Sequence, residues 1–200
     1  MSNPFIPRRP EDVADLVRGQ TLALVVTRAA GRFFATPLPL LVETDDGGSV
    51  TALIGHFARA NPHAVAAEAD PEALILLLGP HGYIAPGWVS QPAWAPTWNY
   101  ALATFETRLE FLPALNDQVI RDLTTAMEGD RPDAWQVDSL GDRYAKLLPR
   151  VIAFRAHVTR ATAKFKLGQD ETAQSFSEIL AALGDTPLAR LMVDQSTRSD

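Results

Sequence analysis

Short apolar runs and period-two alternation dominate the first 111 residues, and helical spacing takes over between 116 and 128 and again after 172. Residues 22–27, Leu-Ala-Leu-Val-Val-Thr, predict a buried strand, 29–31 a turn, and 32–42 a second strand. That second strand carries Pro37 and Pro39, which have no N–H to give to a ladder, so it belongs at a sheet edge or against a ligand. Asp45-Asp46-Gly47-Gly48 predicts a hairpin turn into a strand over 49–56. A buried strand at 73–78 leads through Gly79-Pro80-His81-Gly82, read as a turn, into 83–85. The clearest alternation is 99–111, where Leu102, Thr104, Glu106, Arg108 and Glu110 face away from Ala101, Ala103, Phe105, Thr107 and Leu109. A last strand is expected at 151–162.

Helices punctuate this pattern. Residues 10–18 form one, with Glu11 and Asp12 at its positive end and Gly19 as its stop. Asn61-Pro62 reads as an N-cap and first-turn proline for a short helix to about 69. Asn116 is expected to cap a helix reaching Glu128, with Leu115, Val119, Ile120, Leu123 and Met127 on its apolar side. A short helix near 142–148 interrupts the polar connector 130–149. The tail 172–192 reads as one or two amphipathic helices broken at Gly184 and Pro187, with fraying from 196 to 200. Strands first and helices late predict an α+β chain, mainly antiparallel β: a barrel with peripheral helices rather than a Rossmann sheet. We divide it into residues 1–170, the barrel with its inserted helices, and 171–200, a C-terminal helical extension.

Composition narrows the function classes. The 200 residues contain no cysteine, which removes thiol nucleophiles, CxxC redox pairs and Cys-ligated zinc. The N-terminus lacks the apolar core of a signal peptide and the longest apolar run, 73–78, is too short to span a bilayer, so a cytoplasmic protein without a membrane partner is expected. A net charge of −6 and a helix over 116–128 with Arg121 as its single basic residue give no support to direct nucleic-acid binding. No Gly-rich phosphate loop follows a strand, and no Gly-x-Ser-x-Gly elbow is present. The four histidines lack metal-site spacing and read as structural; no metal is expected.

Two stretches carry candidate chemistry. His56 and Arg59 stand just ahead of the helix that Asn61 caps, so a guanidinium and free backbone N–H groups converge where a phosphate could bind. The alternative is an Arg59 paired with a carboxylate and a packed His56. Pro96-Thr97-Trp98-Asn99-Tyr100 puts stacking surface beside hydrogen-bonding groups at a loop-to-strand junction, although both aromatics could equally be core. Lys164 and Lys166 share a strand face.

In order and spacing, five blocks resemble the PaiB family of FMN-binding negative transcriptional regulators. They are Leu38-Pro39-Leu40-Leu41, Gly55-His56-Phe57-Ala58-Arg59-Ala60-Asn61-Pro62, residues 79–88, Pro96-Thr97-Trp98-Asn99-Tyr100, and Lys164-Phe165-Lys166-Leu167-Gly168-Gln169. The resemblance implies an FMN-binding split β-barrel like that of pyridoxamine-phosphate oxidases, a homodimer, and FMN at the subunit interface. It implies His56, Arg59 and Asn61 near the phosphate, Leu38 and Pro39 beside the isoalloxazine, and Thr97, Trp98, Asn99 and Tyr100 as stacking and amide contacts, from the partner subunit. Lys164, Lys166 and Gln169 match the last block, where a cation would favour phosphate or reduced flavin. This chain departs from the family pattern at Pro37, at Gly168-Gln169-Asp170, and across 87–91, where a Tyr and a Lys are missing. Two function classes follow: a flavin-binding regulator, or an FMN-dependent oxidoreductase of the flavin-reductase or pyridoxamine-phosphate-oxidase kind.

Overall fold

A computed structural model describes residues 3–197; Met1, Ser2 and residues 198–200, where most of the expected fraying falls, lie outside the described residues. The chain runs α1 (Pro10–Gln20), β1 (Leu22–Ala29), β2 (Arg32–Pro39), β3 (Leu41–Thr44), β4 (Val50–Ala58), α2 (Pro62–Ala69), β5 (Glu72–Ile84) and β6 (Thr97–Phe111). It continues with α3 (Asn116–Glu128), α4 (Asp142–Leu147), β7 (Val151–Lys166), α5 (Ala173–Leu183) and α6 (Pro187–Thr197). All strand pairings among them are antiparallel, in the order β2-β1-β5-β6-β7-β4-β3. The sheet curls into a split β-barrel that does not close through hydrogen bonds, its two edge strands being β2 and β3.

The barrel forms because one face of each long strand is apolar. Ala101, Ala103, Phe105 and Leu109 of β6 are buried while Glu106, Arg108 and Glu110 are exposed, as the alternation predicts. Phe57, Phe105, Phe154 and Phe165 are fully buried inside, each contributing about 1.5–3 kcal/mol. Leu16 and Val17 of α1, Ile179 of α5, and Leu188 and Met192 of α6 belong to the same core. At the hairpin, Asp45 Oδ1 accepts from the N–H groups of Gly47 and Ser49, and Gly48 takes a φ of +79°.

Several expected boundaries move. The strand read over 32–42 breaks at Leu40: β2 ends on Pro39, the Leu40 N–H turns to the Thr21 carbonyl, and β3 pairs with β4 instead of β1. Both prolines lie on a sheet-edge strand, where missing donors cost least. The turn read at 79–82 is a bulge: β5 stays on β6 through Ile84, with a register shift between Leu78 and His81 that accommodates Pro80. Strand β7 continues to Lys166 because β6 offers partners all the way to Tyr100. Asn116 does not cap its helix. It is the first residue of α3, and its amide bridges to β7, donating to the Val151 carbonyl (3.0 Å) and accepting from the Ala153 N–H (2.8 Å). Ser196, expected to fray, is still helical in α6.

Candidate functional site

Helix α2 starts as its sequence dictates. Asn61 Oδ1 accepts from the His63 N–H at 3.0 Å, and Pro62 occupies the first helical position. The Asn61 amide also donates across to β2, to Thr36 Oγ1 at 3.2 Å, and that oxygen lies 2.8 Å from His63 Nδ1. His63 is 2% exposed and held between the rings of Phe34 and Phe57, at 5.7 and 5.0 Å between centroids. Its Nε2 is buried without a partner. An orphaned N–H is costlier than an orphaned lone pair, which assigns the proton to Nδ1, donating to Thr36. Burial pushes the His63 imidazole below its usual pKa, and His56 is lowered for the same reason.

Arg59 follows β4 immediately. Its N–H donates to the Arg150 carbonyl at 2.8 Å, and its exposed guanidinium has no carboxylate partner among the described residues. The first turn of α2 carries no acidic residue. An unpaired cation thus stands beside the positive end of a helix whose start is tied to β2. The end of β2 also rests directly on β4, since a Cβ added to Gly55 would lie 2.5 Å from Leu40 Cδ2 and 3.0 Å from the Pro39 carbonyl. Pro39 and His56 line an open cavity of about 290 Å³ bordered by α3 and Trp135. Leu38 is buried, so its backbone on the edge strand is what a ligand could meet.

The remaining candidates gather elsewhere. Trp98, 53% exposed, lies edge-on to Tyr83 (6.1 Å) and stacked near His81 (6.3 Å). Lys164 Nζ sits 5.8 Å from the Tyr100 ring centre and 5.6 Å from that of Phe5. Lys166 donates to Thr97 Oγ1 at 2.5 Å and to the Trp98 carbonyl at 3.2 Å. Two residues do not share this surface. Asn99 alternates inward, is 2% exposed and donates to Met192 Sδ at 3.7 Å. Gln169 spends its amide on the chain turn, accepting from the Leu167 N–H and donating to the Phe165 carbonyl.

Within one chain His56 and Lys166 lie far apart along β7. His56 lies opposite Ala153 near the start of β7, whereas Tyr100 lies opposite Lys166 at its end. Thirteen residues of strand separate them, about 40 Å along the chain at about 3.3 Å per residue. Sequence reading did not single out Thr36, Phe34 or Trp135. Thr36 and His63 are 27 residues apart, and only the packing of α2 on β2 makes them partners. Among the described residues no cluster of histidines and carboxylates could hold a metal, and no helix is long and apolar enough to cross a membrane.

A family model described as "Putative FMN-binding domain" matches residues 1–160. The chain belongs to that family. Membership gives it FMN as cofactor, and the unpaired Arg59 at the start of α2 fits the phosphate of such a ligand. The chain is also PaiB-like: it is 29% identical over 193 residues to the Bacillus subtilis (strain 168) "Protease synthase and sporulation protein PAI 2", covering 92% of this chain and 89% of that one. An uncharacterized Aspergillus fumigatus protein is 28% identical over 157 residues, covering 59% of this chain and 60% of that one. Among solved structures, the flavocytochrome Anf3 of Azotobacter vinelandii superposes with a TM-score of 0.62 at 17% identity, over 82% of this chain and 70% of that one. A Mycobacterium smegmatis FAD- and heme-binding protein gives 0.61 at 19%, over 87% and 78%. At these identities the likeness establishes the split-barrel fold.

Proposed function

We propose that this FMN-binding protein is a homodimeric regulator of the PaiB kind, in which each flavin lies between two copies of the chain. The separation of His56 and Arg59 from Tyr100 and Lys166 along β7 carries this reading. Arg59, Asn61, His56, Pro39 and the Leu38 backbone form one half of a site, and Trp98, Tyr100, Thr97, Lys164 and Lys166 form the other. A twofold axis would bring one half from each copy together. The outer sheet face supports it: Leu22 and Leu24 of β1 and Leu74 and Leu78 of β5 are exposed large apolar residues on neighbouring strands, a surface that a second copy would cover.

In this arrangement the Arg59 guanidinium, beside the positive end of α2, holds the phosphate, and Asn61 fixes that helix start against Thr36 of β2. The edge backbone at Leu38 and Pro39 offers groups to the rim of the ring system. Trp98 and Tyr100 of the second copy supply the stacking face, while Lys164 and Lys166 bring positive charge. FMN supplies one- and two-electron chemistry when bound; in the regulatory reading its presence or redox state biases dimer conformation. The second reading, an FMN-dependent oxidoreductase, is favoured by the cavity beside Pro39 and His56, which leaves room for another molecule.

The test begins with the purified protein, whose bound small molecule is released and identified by mass and absorption. FMN is expected, with a raised melting temperature on saturation. Arg59→Ala should weaken FMN by about 1–3 kcal/mol with no loss of stability, because this guanidinium makes no ion pair with the described residues. Unchanged affinity removes Arg59 from the phosphate site. NADH or NADPH oxidation that depends on added FMN separates the enzyme from the regulator.

A further inference from the structure

An open cavity lies between α3 and the barrel. Ile120 and Leu123 of α3 form one wall, Pro39 and His56 the floor, and Met127 and Trp135 the rim. Met127 and Trp135 are 54% and 42% exposed, a costly state for two large apolar side chains on one opening. The backbone at Trp135 is tied to α3: its main-chain N–H donates to Glu128 Oε2 at 3.2 Å, and the same carboxylate oxygen is bonded by Arg131. The connector beyond Trp135 is pinned to α3 in turn: Tyr144 donates its hydroxyl to Asp117 at 2.7 Å, and Arg121 reaches from Asp117 to Asp138.

Two of the polar side chains lining this space are engaged within the fold. Thr124 Oγ1 donates to the Ile120 carbonyl within its own helix, and Glu128 is taken by Arg131 and Trp135. His56 differs, for its Nδ1 is buried with no hydrogen-bond partner. A buried N–H without a partner is costlier than a bare lone pair, so the neutral ring carries its proton on Nε2. That leaves Nε2–H as the donor available to a ligand. With mostly apolar walls, the His56 and Trp135 ring N–H groups as donors, the Glu128 carboxylate at the rim and no unpaired cation among the lining residues, the cavity suits an uncharged molecule better than an anion.

We propose that this cavity is a second ligand site beside the flavin, taking an uncharged, largely aromatic molecule that presents one carbonyl-type acceptor to His56. The placement beside flavin rests on the proposed FMN site; the cavity's chemistry does not. In the oxidoreductase reading its occupant is the reaction partner, and in the regulatory reading it is the effector.

Three probes of one shape test it by calorimetry on the full chain, with and without saturating FMN: acetophenone, ethylbenzene and benzoate. Acetophenone is expected to bind at one site per chain, about tenfold tighter than ethylbenzene, the worth of one hydrogen bond, with benzoate weaker still. His56→Phe should bring acetophenone down to the level of ethylbenzene. Trp135→Ala, a change at a half-exposed position that the fold tolerates, should weaken both neutral probes at least tenfold. Saturating FMN should leave acetophenone affinity within twofold. The proposal is overturned if ketone and hydrocarbon bind alike, if neither substitution alters binding, or if FMN displaces acetophenone, since the cavity would then be the seat of the flavin ring itself. Failure of the FMN reading is seen separately, as absence of FMN binding in the same instrument.

Discussion

Replacing Asn61 by alanine or by aspartate separates two jobs that this side chain does at once. Alanine removes the cap on the His63 N–H and the bridge to Thr36. Loss of an Asn cap costs about 0.5–2 kcal/mol, and loss of the neutral hydrogen bond to Thr36 about 0.5–1.5 kcal/mol. The sum is about 1–3.5 kcal/mol, readable as a lower urea midpoint at constant slope. Aspartate keeps an acceptor for the His63 N–H, and the Thr36 hydroxyl can donate to its second oxygen. A carboxylate at a helix N-terminus adds about 0.3–1 kcal/mol of favourable charge–dipole interaction. Asn61→Asp should therefore be as stable as the parent. Its FMN affinity should nonetheless fall, because the new negative charge faces the phosphate. Stability that holds while affinity drops is the signature expected from unfolding curves and flavin-fluorescence titration run side by side. An aspartate variant that binds FMN as the parent does would show that no phosphate sits at the start of α2.

Other consequences follow from single contacts. Gly55→Ala should cost about 1–3 kcal/mol and weaken FMN, since the new methyl would press on Leu40 and on the Pro39 carbonyl at 3.0 Å; a neutral result in urea denaturation would mean that β2 can retreat from β4 freely. Asn116→Ala should cost about 1–3 kcal/mol by leaving the buried Ala153 N–H without an acceptor, and a loss below 0.5 kcal/mol would show that water replaces the amide. Stability should be level above about pH 7 and fall on acidification below about 6.5. Burial keeps His56 and His63 neutral in the fold, so the unfolded chain takes up protons first, at most about 1.4 kcal/mol per pH unit for each proton. A rise in stability between pH 7 and 5.5 would contradict that sign.

How much of this was legible in the chain depends on how local the cause is. The Asn61-Pro62 cap, the Asp45–Gly48 hairpin and the break between α5 and α6 are set by residues within one turn, and each stands where the sequence puts it. Leu40 and Pro80 were misread because long-range pairing decides them. Pro39 ends one ladder just as β4 becomes available for another, and the Gly79-Pro80 punctuation is absorbed as a bulge because β6 continues past it. Asn116 has the side chain of a cap and spends it on β7, 35 residues away. At the candidate site, motifs supplied most of the residue types but not their grouping. Alternation could have placed Asn99 on the opposite face from Trp98 and Tyr100, and the strand order was needed to see that His56 and Lys166 lie at opposite ends of β7.

The claim that the flavin spans two copies is tested most directly by mixing two defective variants. Arg59→Ala and Trp98→Ala are each expected to bind FMN weakly, for each spoils both sites of its own dimer. When the two are unfolded together and refolded, half of the dimers are mixed, and in each of these one of the two sites draws Arg59 from one copy and Trp98 from the other. About a quarter of all sites should then recover the parent's FMN affinity in a flavin-fluorescence titration. Recovery of none, with mixed dimers shown to be present, would place Arg59 and Trp98 in the same chain's site or in no common site, and would contradict the shared-interface account.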